Sequence, residues 1–101
     1  MAITYFGQIG QLKKEKIDEY KALHAAPWPG VLKTIKECNL QNYHIYIRGD
    51  QVFAFYEYTG DDYEADMEKM AADPVTQEWW SHTKPCFVEV YVDMEEIFYL
   101  A

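Results

Sequence analysis

The middle of the chain contains two runs rich in β-branched and aromatic residues, 42–48 and 52–58, joined by a short polar turn that begins with Gly49. A glycine-containing turn between two such runs predicts a β-hairpin. In residues 52–56 the side chains that alternate between the two faces are nearly all apolar, which indicates a strand covered on both faces. Any fold for this chain therefore has to supply packing partners above and below one central hairpin.

A strand and a helix are predicted on the N-terminal side of this hairpin. Residues 2–9 are rich in β-branched and aromatic side chains, and Gly10 is expected to end the strand. Apolar residues then recur at helical spacing through residues 12–25. Tyr20 lies on the buried stripe of this helix, and His24 is expected in its last turn.

Two prolines separate the first helix from a second one. Pro27 and Pro29 end the first helix, because proline cannot continue a helix. The second helix is expected to continue to about Asn39. Its inward-facing side chains are predicted to be Val31, Leu32, Ile35 and Cys38.

A second helical pair is predicted after the hairpin. Asp61 or Asp62 can cap a helix with an apolar stripe, and Asp73 followed by Pro74 is typical of a helix start. The apolar stripe of the first of these helices consists of Tyr63, Met67 and Met70. The helix that follows carries two adjacent tryptophans near its end.

The order of the elements predicts the fold. Residues 87–92 and 95–100 have β character and complete the chain. The result is the β-α-β-β-α-β pattern of an α+β, ferredoxin-like fold with an antiparallel sheet, which we expect residues 1–101 to form as one domain. Helices cover only one face of such a sheet. We therefore expect a homodimer through the other sheet face, as in dimeric α/β barrels.

Charge and cysteine content narrow the choice of partners. The 101 residues carry a formal net charge of −8, which disfavours nucleic acid and anionic membranes as partners. The first ten residues do not resemble a signal peptide, and no apolar run approaches the ~18 residues of a membrane span, so a cytoplasmic protein is expected. Cys38 and Cys86 are far apart and predict buried thiols rather than a disulfide or a zinc site.

Tyr20, His24 and Trp28 follow one another at intervals of four residues. Residues four apart share one helix face, so Tyr20 and His24 should point the same way. An imidazole with a pKa near 6.5 suits proton transfer at neutral pH. Structural histidines are more common than catalytic ones, so this pattern alone leaves both roles open for His24. Trp28 could form a wall of the same pocket.

The adjacent Trp79 and Trp80 point about 100° apart on a helix, so both cannot be fully buried in a small core. One indole is expected to face a pocket or a partner. Aromatic faces with nearby hydroxyl and N–H groups can hold a sugar, although a dimer contact explains the pair equally well. Among the carboxylates, only Glu57 is predicted to be buried, paired with Lys, Arg or a Tyr hydroxyl.

Taken together, these residues resemble the L-rhamnose mutarotases, a family of small dimeric proteins of the ferredoxin-like α/β-barrel type. The resemblance covers nearly the whole chain. It rests on Glu19-Tyr20, His24, Trp28-Pro29, Asn42-Tyr43, Ile45-Tyr46, Trp79-Trp80 and Phe98-Tyr99-Leu100. The chain departs from the family in its short turn at Gly49 and in residues 86–93, which are β-like where the family has a polar loop.

The resemblance implies a catalytic site and a reaction. His24 is similar to the catalytic acid of the family, and the implied sugar-binding positions are Tyr20, Tyr43, Trp79 and Trp80. The family interconverts the α and β anomers of a free deoxyhexose, without a cofactor or a metal. Anomerisation requires a proton on the ring oxygen and removal of a proton from the anomeric hydroxyl. The group that removes it could be a Tyr hydroxyl, a bound water or the same imidazole.

Two other functions fit the same pattern. A cofactor-free monooxygenase or lactone isomerase of the dimeric α/β-barrel type would also place His and Tyr beside an apolar cavity. A non-catalytic ligand-binding dimer would use the aromatic residues at its interface. Among sugars, L-fucose or another substrate is an alternative to L-rhamnose.

Overall fold

The computed structural model describes residues 2–101 and confirms the predicted α+β, ferredoxin-like order of elements. The elements are β1 (Thr4–Leu12), α1 (Ile17–Ala25), α2 (Pro29–Glu37), β2 (Leu40–Arg48), β3 (Gln51–Tyr58), α3 (Tyr63–Ala72), α4 (Pro74–Thr83) and β4 (Phe87–Asp93). A single 3-10 turn precedes α1, and another precedes β4. Within residues 2–101, no helix combines the length and the hydropathy that a membrane span requires.

The four strands form one antiparallel sheet in the order β2-β3-β1-β4. The predicted hairpin supplies β2 and β3, and β1 inserts between β3 and β4. The register aligns one residue from each strand in a row across the sheet. That row consists of Ile45, Ala54, Gln8 and Asp93. We call it the middle row.

The first strand is longer than predicted, because Gly10 does not end it. β1 continues through the buried Gly10 to Leu12, and α1 begins only at Ile17. The backbone N–H of Leu12 donates to the carbonyl of Asp50, so this stretch is held beside the hairpin. A Cβ atom on Gly10 would lie 2.9 Å from the ring of Phe87. Glycine is therefore needed here for close packing rather than for a turn.

The second helix buries a different side chain from the one predicted. Leu32 is 46% exposed, whereas Val31 and Thr34 are buried. Residues three and seven positions after Val31 share its face, so Thr34 and Cys38 turn inward and Leu32 turns outward. The Thr34 hydroxyl donates to the carbonyl of Gly30, which satisfies its polar group inside the core.

All the helices predicted from caps are present. Asp62 begins α3 and accepts a hydrogen bond from the N–H of Ala65 at 3.1 Å. Asp73 begins α4 and accepts from the N–H of Thr76 at 2.8 Å. The hydrogen bond from the N–H of Thr76 holds the pKa of Asp73 below its usual value.

The helices cover one face of the sheet, and two clusters of buried side chains lie between the helices and this face. The first cluster contains Leu12, Tyr20, Val52, Cys86 and Phe87. The second cluster contains Cys38, Leu40, Tyr56, Tyr58 and Met70. On β3 the clusters are separated by Ala54 of the middle row. Both cysteines are buried free thiols, as predicted, and burial raises the pKa of each.

The opposite face of the sheet, which we call the open face, is crossed only by the C-terminal segment 94–101 within the described residues. This segment was predicted to contain a strand at 95–100, and that prediction is wrong: the segment has no regular secondary structure. The N–H of Met94 donates to the carbonyl of Gly7, after which the chain leaves the sheet edge. Tyr99 stacks on Tyr5 with ring centroids 4.8 Å apart, while Phe98 remains 79% exposed. Residues 94–101 do not pair with the sheet as a strand, so their β-forming side chains remain largely exposed.

Candidate active site

Tyr20 and His24 lie side by side on the sheet-facing side of α1, as their spacing predicts. Their ring centroids are 4.3 Å apart, Tyr20 is 4% exposed, and His24 occupies the last turn of the helix. Tyr20 also packs edge-on against Phe87 at 5.2 Å. Tyr20 is thus held by Phe87 on one side and packs against the imidazole of His24 on another, which fixes the position of that imidazole.

The hydrogen bond of the imidazole identifies its protonated nitrogen. Nδ1 of His24 is 2.8 Å from the backbone carbonyl oxygen of Tyr20. A carbonyl oxygen can only accept, so Nδ1 carries the proton and Nε2 is free to react. Burial lowers the pKa of His24, and the bond to Tyr20 opposes that effect only in part. At neutral pH the ring is therefore neutral and Nε2 has a free lone pair.

Two indoles extend the aromatic environment beyond His24. Trp79 of α4 lies edge-on to His24 at 5.4 Å and is 7% exposed. Trp28 lies edge-on to Trp79 at 5.2 Å and also contacts His82 at 5.5 Å. Trp79 thus forms a wall beside the imidazole, and Trp28 packs against Trp79.

Trp80 takes a different direction from Trp79. It is only partly buried and packs against the second cluster, while Nζ of Lys84 lies 4.6 Å from the centre of its ring. This arrangement confirms that the two adjacent indoles are not both fully buried. Trp79 is the one that contacts His24, so the pair does not form one continuous platform.

Tyr43 reaches the same interior from β2. A bulge at Asn42 interrupts the pairing of β2 with β3, and Tyr43 faces the helices with its ring 5.0 Å from that of Tyr56. Tyr43 as a whole is 38% exposed, but burial around its hydroxyl raises its pKa well above the usual value. Its phenol therefore remains a hydrogen-bond donor at any physiological pH.

Several further tyrosines place hydroxyls around Tyr43. The hydroxyls of Tyr20 and Tyr91 are 2.8 Å apart, and the hydroxyl of Tyr56 bonds that of Tyr63. Burial raises the pKa of Tyr20, Tyr56 and Tyr91. Neutral phenols next to apolar ring faces can hold a small molecule that has both hydroxyl and C–H surfaces.

A cavity of about 230 Å³ lies beside this cluster, between α1 and the hairpin. Tyr20, Lys21 and His24 line one side of it, and Ile45, Ile47 and Val52 line the other. Pockets for drug-sized ligands measure roughly 300–1,000 Å³, so this one suits a smaller molecule. Lys21 was not predicted to line the site, although it follows Ile17 by four residues and therefore lies next to the apolar stripe of α1.

Glu57 corrects a prediction made from the strand pattern. It is only partly buried, and its Oε1 accepts from the amide groups of Gln41 at 2.8 Å and Asn42 at 3.0 Å. The predicted Lys, Arg or Tyr partner is therefore wrong. Glu57 faces the open side of the sheet, opposite Tyr5. Two amide donors solvate the carboxylate there and secure the bulge in β2.

Fold and site together define the class: a ferredoxin-like α+β protein with one imidazole in an aromatic, hydroxyl-lined pocket. Residues 5–100 match the family model of the L-rhamnose mutarotases. The chain belongs to the L-rhamnose mutarotase family, as its motifs predicted. The predicted function, a sugar mutarotase and thus an isomerase, is confirmed at this level, and the monooxygenase and non-catalytic alternatives are not favoured.

Known proteins similar to the chain cover most of its length. The L-rhamnose mutarotase of Listeria monocytogenes serotype 4b is 32% identical over 92 residues, which are 83% of this chain and 86% of that protein. The L-rhamnose mutarotase of Bacillus subtilis is 30% identical over 95 residues, covering 86% and 88% of the two chains.

Solved structures support the fold. The crystal structure of an L-rhamnose mutarotase from Formosa agariphila superposes with a TM-score of 0.80 at 23% identity, covering 97% of this chain and 99% of the other. A putative antibiotic biosynthesis monooxygenase from Chloroflexus aurantiacus superposes with a TM-score of 0.54 at 14% identity, covering 97% and 98%. Both proteins share the architecture, and the more similar one is the mutarotase.

Proposed function

We propose that this enzyme interconverts the α and β anomers of L-rhamnose, or of a closely related deoxyhexose, and that His24 performs the proton transfers. The observation that carries the proposal is the position of His24: Nδ1 is bonded to the Tyr20 carbonyl, the ring lies between Tyr20 and Trp79, and Nε2 is free. The names of the similar proteins supply the choice of L-rhamnose.

A single nitrogen is sufficient for ring opening. The anomeric hydroxyl and the ring oxygen are bonded to the same carbon, so a group within hydrogen-bond reach of one can also reach the other. Nε2 of the neutral ring takes the proton of the anomeric hydroxyl. The imidazolium formed in this way is the catalytic acid, and it donates the proton to the ring oxygen as the bond from that oxygen to the anomeric carbon breaks. The products are an open-chain aldehyde and the original neutral imidazole.

Ring closure reverses these steps after the aldehyde rotates. The C5 hydroxyl attacks the other face of the carbonyl carbon, Nε2 takes its proton, and the imidazolium returns that proton to the carbonyl oxygen. Atoms and charge balance over the cycle. Because burial lowers the pKa of His24, its imidazolium is a stronger acid than free imidazolium.

Tyr20, Tyr43, Trp79 and Trp80 are proposed to hold the sugar. The raised pKa values of Tyr20 and Tyr43, caused first by burial, keep both phenols neutral. They can then exchange hydrogen bonds with sugar hydroxyls, while Trp79 faces the apolar C–H surface beside His24. Trp80 would contribute through the edge that its packing leaves exposed.

Exchange NMR on the anomeric protons of L-rhamnose tests this proposal. Wild-type enzyme should accelerate α/β exchange, and His24→Ala should abolish most of that acceleration. His82→Ala is a matched control, because it removes an exposed histidine of α4 whose ring packs against Trp28 and pairs with Glu78. Retention of the full rate in His24→Ala would make His24 structural. L-fucose in the same assay tests the choice of sugar, and preferential binding of a quinol would favour the monooxygenase alternative.

We also propose a homodimer formed through the open face. This face presents large apolar side chains that the C-terminal segment covers only in part, such as Tyr46, Phe55 and Val92. A cavity of about 490 Å³ lies between this face and residues 94–98 of that segment. A second copy would cover both the face and the exposed side chains of Ile97, Phe98 and Leu100.

Light scattering tests the dimer. Val92→Lys places a charge on the open face and should produce monomers, whereas Val75→Lys changes a similarly exposed valine on the helical side and should not. A wild-type monomer at micromolar concentration would contradict the proposal.

We further propose a cytoplasmic location, where the free thiols Cys38 and Cys86 would remain reduced.

A further inference from the structure

The middle row of the sheet carries two polar side chains that the mutarotase chemistry does not use. Gln8 pairs with Asp93 across β1 and β4, and with the buried Ala54 across β1 and β3. Nε2 of Gln8 donates to Oδ1 of Asp93 at 2.8 Å. The row passes between the two buried clusters, with the bonded hydroxyls of Tyr20 and Tyr91 at the first cluster and those of Tyr56 and Tyr63 at the second.

Asp93 faces the helices rather than the open face. Its partner Gln8 lies two residues after Phe6, whose ring stacks on Tyr56 and Tyr63 beneath the helices. Tyr91, two residues before Asp93, bonds the hydroxyl of Tyr20. Successive side chains two apart share a strand face, so Tyr91 and Asp93 point into the same interior.

The carboxylate of Asp93 is held in place by Gln8. Gln8 occupies one of its two oxygens with a neutral donor, and the side chain is exposed enough to meet a ligand. Among its neighbours is Tyr56, whose pKa is raised first by burial, then by the bond to Tyr63, with a smaller contribution from the negative charge of Asp93. A carboxylate in this position has free acceptor sites for hydroxyl groups.

We propose that Asp93 is a specificity-determining residue that accepts a hydrogen bond from a sugar hydroxyl other than the anomeric one, and that Gln8 is its positioning residue. This inference rests on the proposed mutarotase function. Tyr20 packs against His24 and its hydroxyl bonds that of Tyr91, and Asp93 follows Tyr91 two residues later on the same face of β4. The middle row, which holds Asp93, also includes Ile45, a residue that lines the cavity beside His24. A sugar with its anomeric carbon at His24 would therefore direct its remote hydroxyls toward the interior that Asp93 faces.

The position of Asp93 also gives β4 a role. This strand, Phe87–Asp93, supplies both Tyr91 and Asp93 to the site.

Exchange kinetics with L-rhamnose and its 2-deoxy, 3-deoxy and 4-deoxy analogues test the proposal in wild type and Asp93→Asn. Charge-assisted hydrogen bonds contribute roughly 1.5–3 kcal/mol, so Asp93→Asn should raise KM for L-rhamnose about tenfold or more while kcat changes little. In wild type, one deoxy analogue should lose a similar factor in kcat/KM. That analogue should lose much less in Asp93→Asn, because the partner of the missing hydroxyl is already weakened.

Two further variants complete the test. Gln8→Met should raise KM less than Asp93→Asn does, since it frees the carboxylate without removing it. Asp50→Asn is the matched control, because Asp50 accepts from Gln11 at 3.3 Å in a similar Gln–Asp pair at the hairpin turn. Its kinetics should equal those of wild type.

The outcomes separate the two proposals. If wild type is active, two results would overturn the role of Asp93 and leave the mutarotase proposal intact. One is unchanged kinetics in Asp93→Asn, and the other is the same loss of kcat/KM for each deoxy analogue in both proteins. A wild type that accelerates exchange of none of these sugars overturns the mutarotase proposal and the role of Asp93 with it. A fall in kcat without a change in KM would make Asp93 part of the proton transfer and would also overturn the specificity role.

Discussion

Nδ1 of His24 lies 2.8 Å from the carbonyl oxygen of Tyr20, one helical turn earlier on α1. The bond orients the imidazole with its own helix backbone, so no third side chain is needed to select the tautomer. The sequence predicted that these two residues are neighbours. It did not indicate that the backbone of Tyr20, rather than its hydroxyl, would hold the histidine.

The first prediction concerns pH. Burial lowers the pKa of His24 below about 6.5, the value in unfolded chains, and the neutral ring is the form that begins the reaction. Activity should therefore be constant above about pH 7 and should fall as pH decreases through the lowered pKa. The rate of anomer exchange measured from pH 8 to pH 4.5 checks this. A rate that rises as the solution becomes more acidic, after subtraction of the uncatalysed reaction, would show that the protonated ring starts the reaction.

The same shift affects folding, with a defined sign. The unfolded chain binds a proton at His24 at a higher pH than the folded chain does, so the stability contributed by the neutral ring decreases as pH falls below about 6.5. Urea unfolding at pH 7 and at pH 5.5 should show a smaller decrease in stability for His24→Asn than for wild type. An equal decrease in both proteins would contradict the burial of this ring.

The second prediction concerns the hydroxyl pair of Tyr20 and Tyr91, which connects α1 to β4 at 2.8 Å. Tyr20→Phe leaves the partly buried hydroxyl of Tyr91 without its partner and should cost about 1–3 kcal/mol of unfolding free energy. Tyr91→Phe should cost a similar amount. The double variant should be more stable than the sum of the two losses implies, because neither hydroxyl is then left unpaired. Chemical denaturation of the four proteins gives the coupling energy, and a coupling near zero would mean that the hydroxyls interact mainly with water.

The third prediction distinguishes the two adjacent indoles. Trp79→Phe shortens the wall beside His24 and should lower the exchange rate, at a stability cost below the roughly 3–5 kcal/mol of a Trp→Ala change. Trp80→Phe, its matched neighbour, alters the contact with Lys84 and should lower stability by about 0.5–1 kcal/mol. It should lower the exchange rate less than Trp79→Phe does, because Trp80 is proposed to reach the sugar only with its exposed edge. Equal effects of both substitutions on the rate would contradict the different orientations of the rings.

Local chemistry in the sequence was sufficient to predict most elements. Asp62 and Asp73 are helix caps because their carboxylates accept from the N–H group three residues later, and this can be recognised without knowledge of the fold. The shared face of Tyr20 and His24 follows from helical spacing alone. These features depend only on neighbours within four residues.

Features that depend on strand pairing could not be predicted in this way. Gly10 was expected to end a strand, but the ring of Phe87, 77 residues later, occupies the space that a side chain would need. Gln8 and Asp93 meet only because β1 and β4 share a particular register, which no local pattern records. The sugar-binding positions came from the family motif. The structure brings Tyr20 and Trp79 to His24, and it places Tyr43 beside Tyr56.

The fourth prediction concerns Gly60, which follows β3. A Cβ atom at this position would lie 2.4 Å from the hydroxyl of Tyr58 and 2.7 Å from Oδ2 of Asp66. These two groups hydrogen-bond each other, and the Tyr58 hydroxyl also accepts from the N–H of Asp62, so neither can move without breaking a bond. Gly60→Ala should therefore destabilise the fold by about 1–3 kcal/mol.

Tyr58→Phe removes the hydroxyl oxygen, the atom nearest to the added Cβ, so Gly60→Ala should cost less stability in a Tyr58→Phe background. Thermal unfolding of the four proteins measures both effects, and an unchanged melting temperature for Gly60→Ala would show that β3 and α3 can separate at this point without loss.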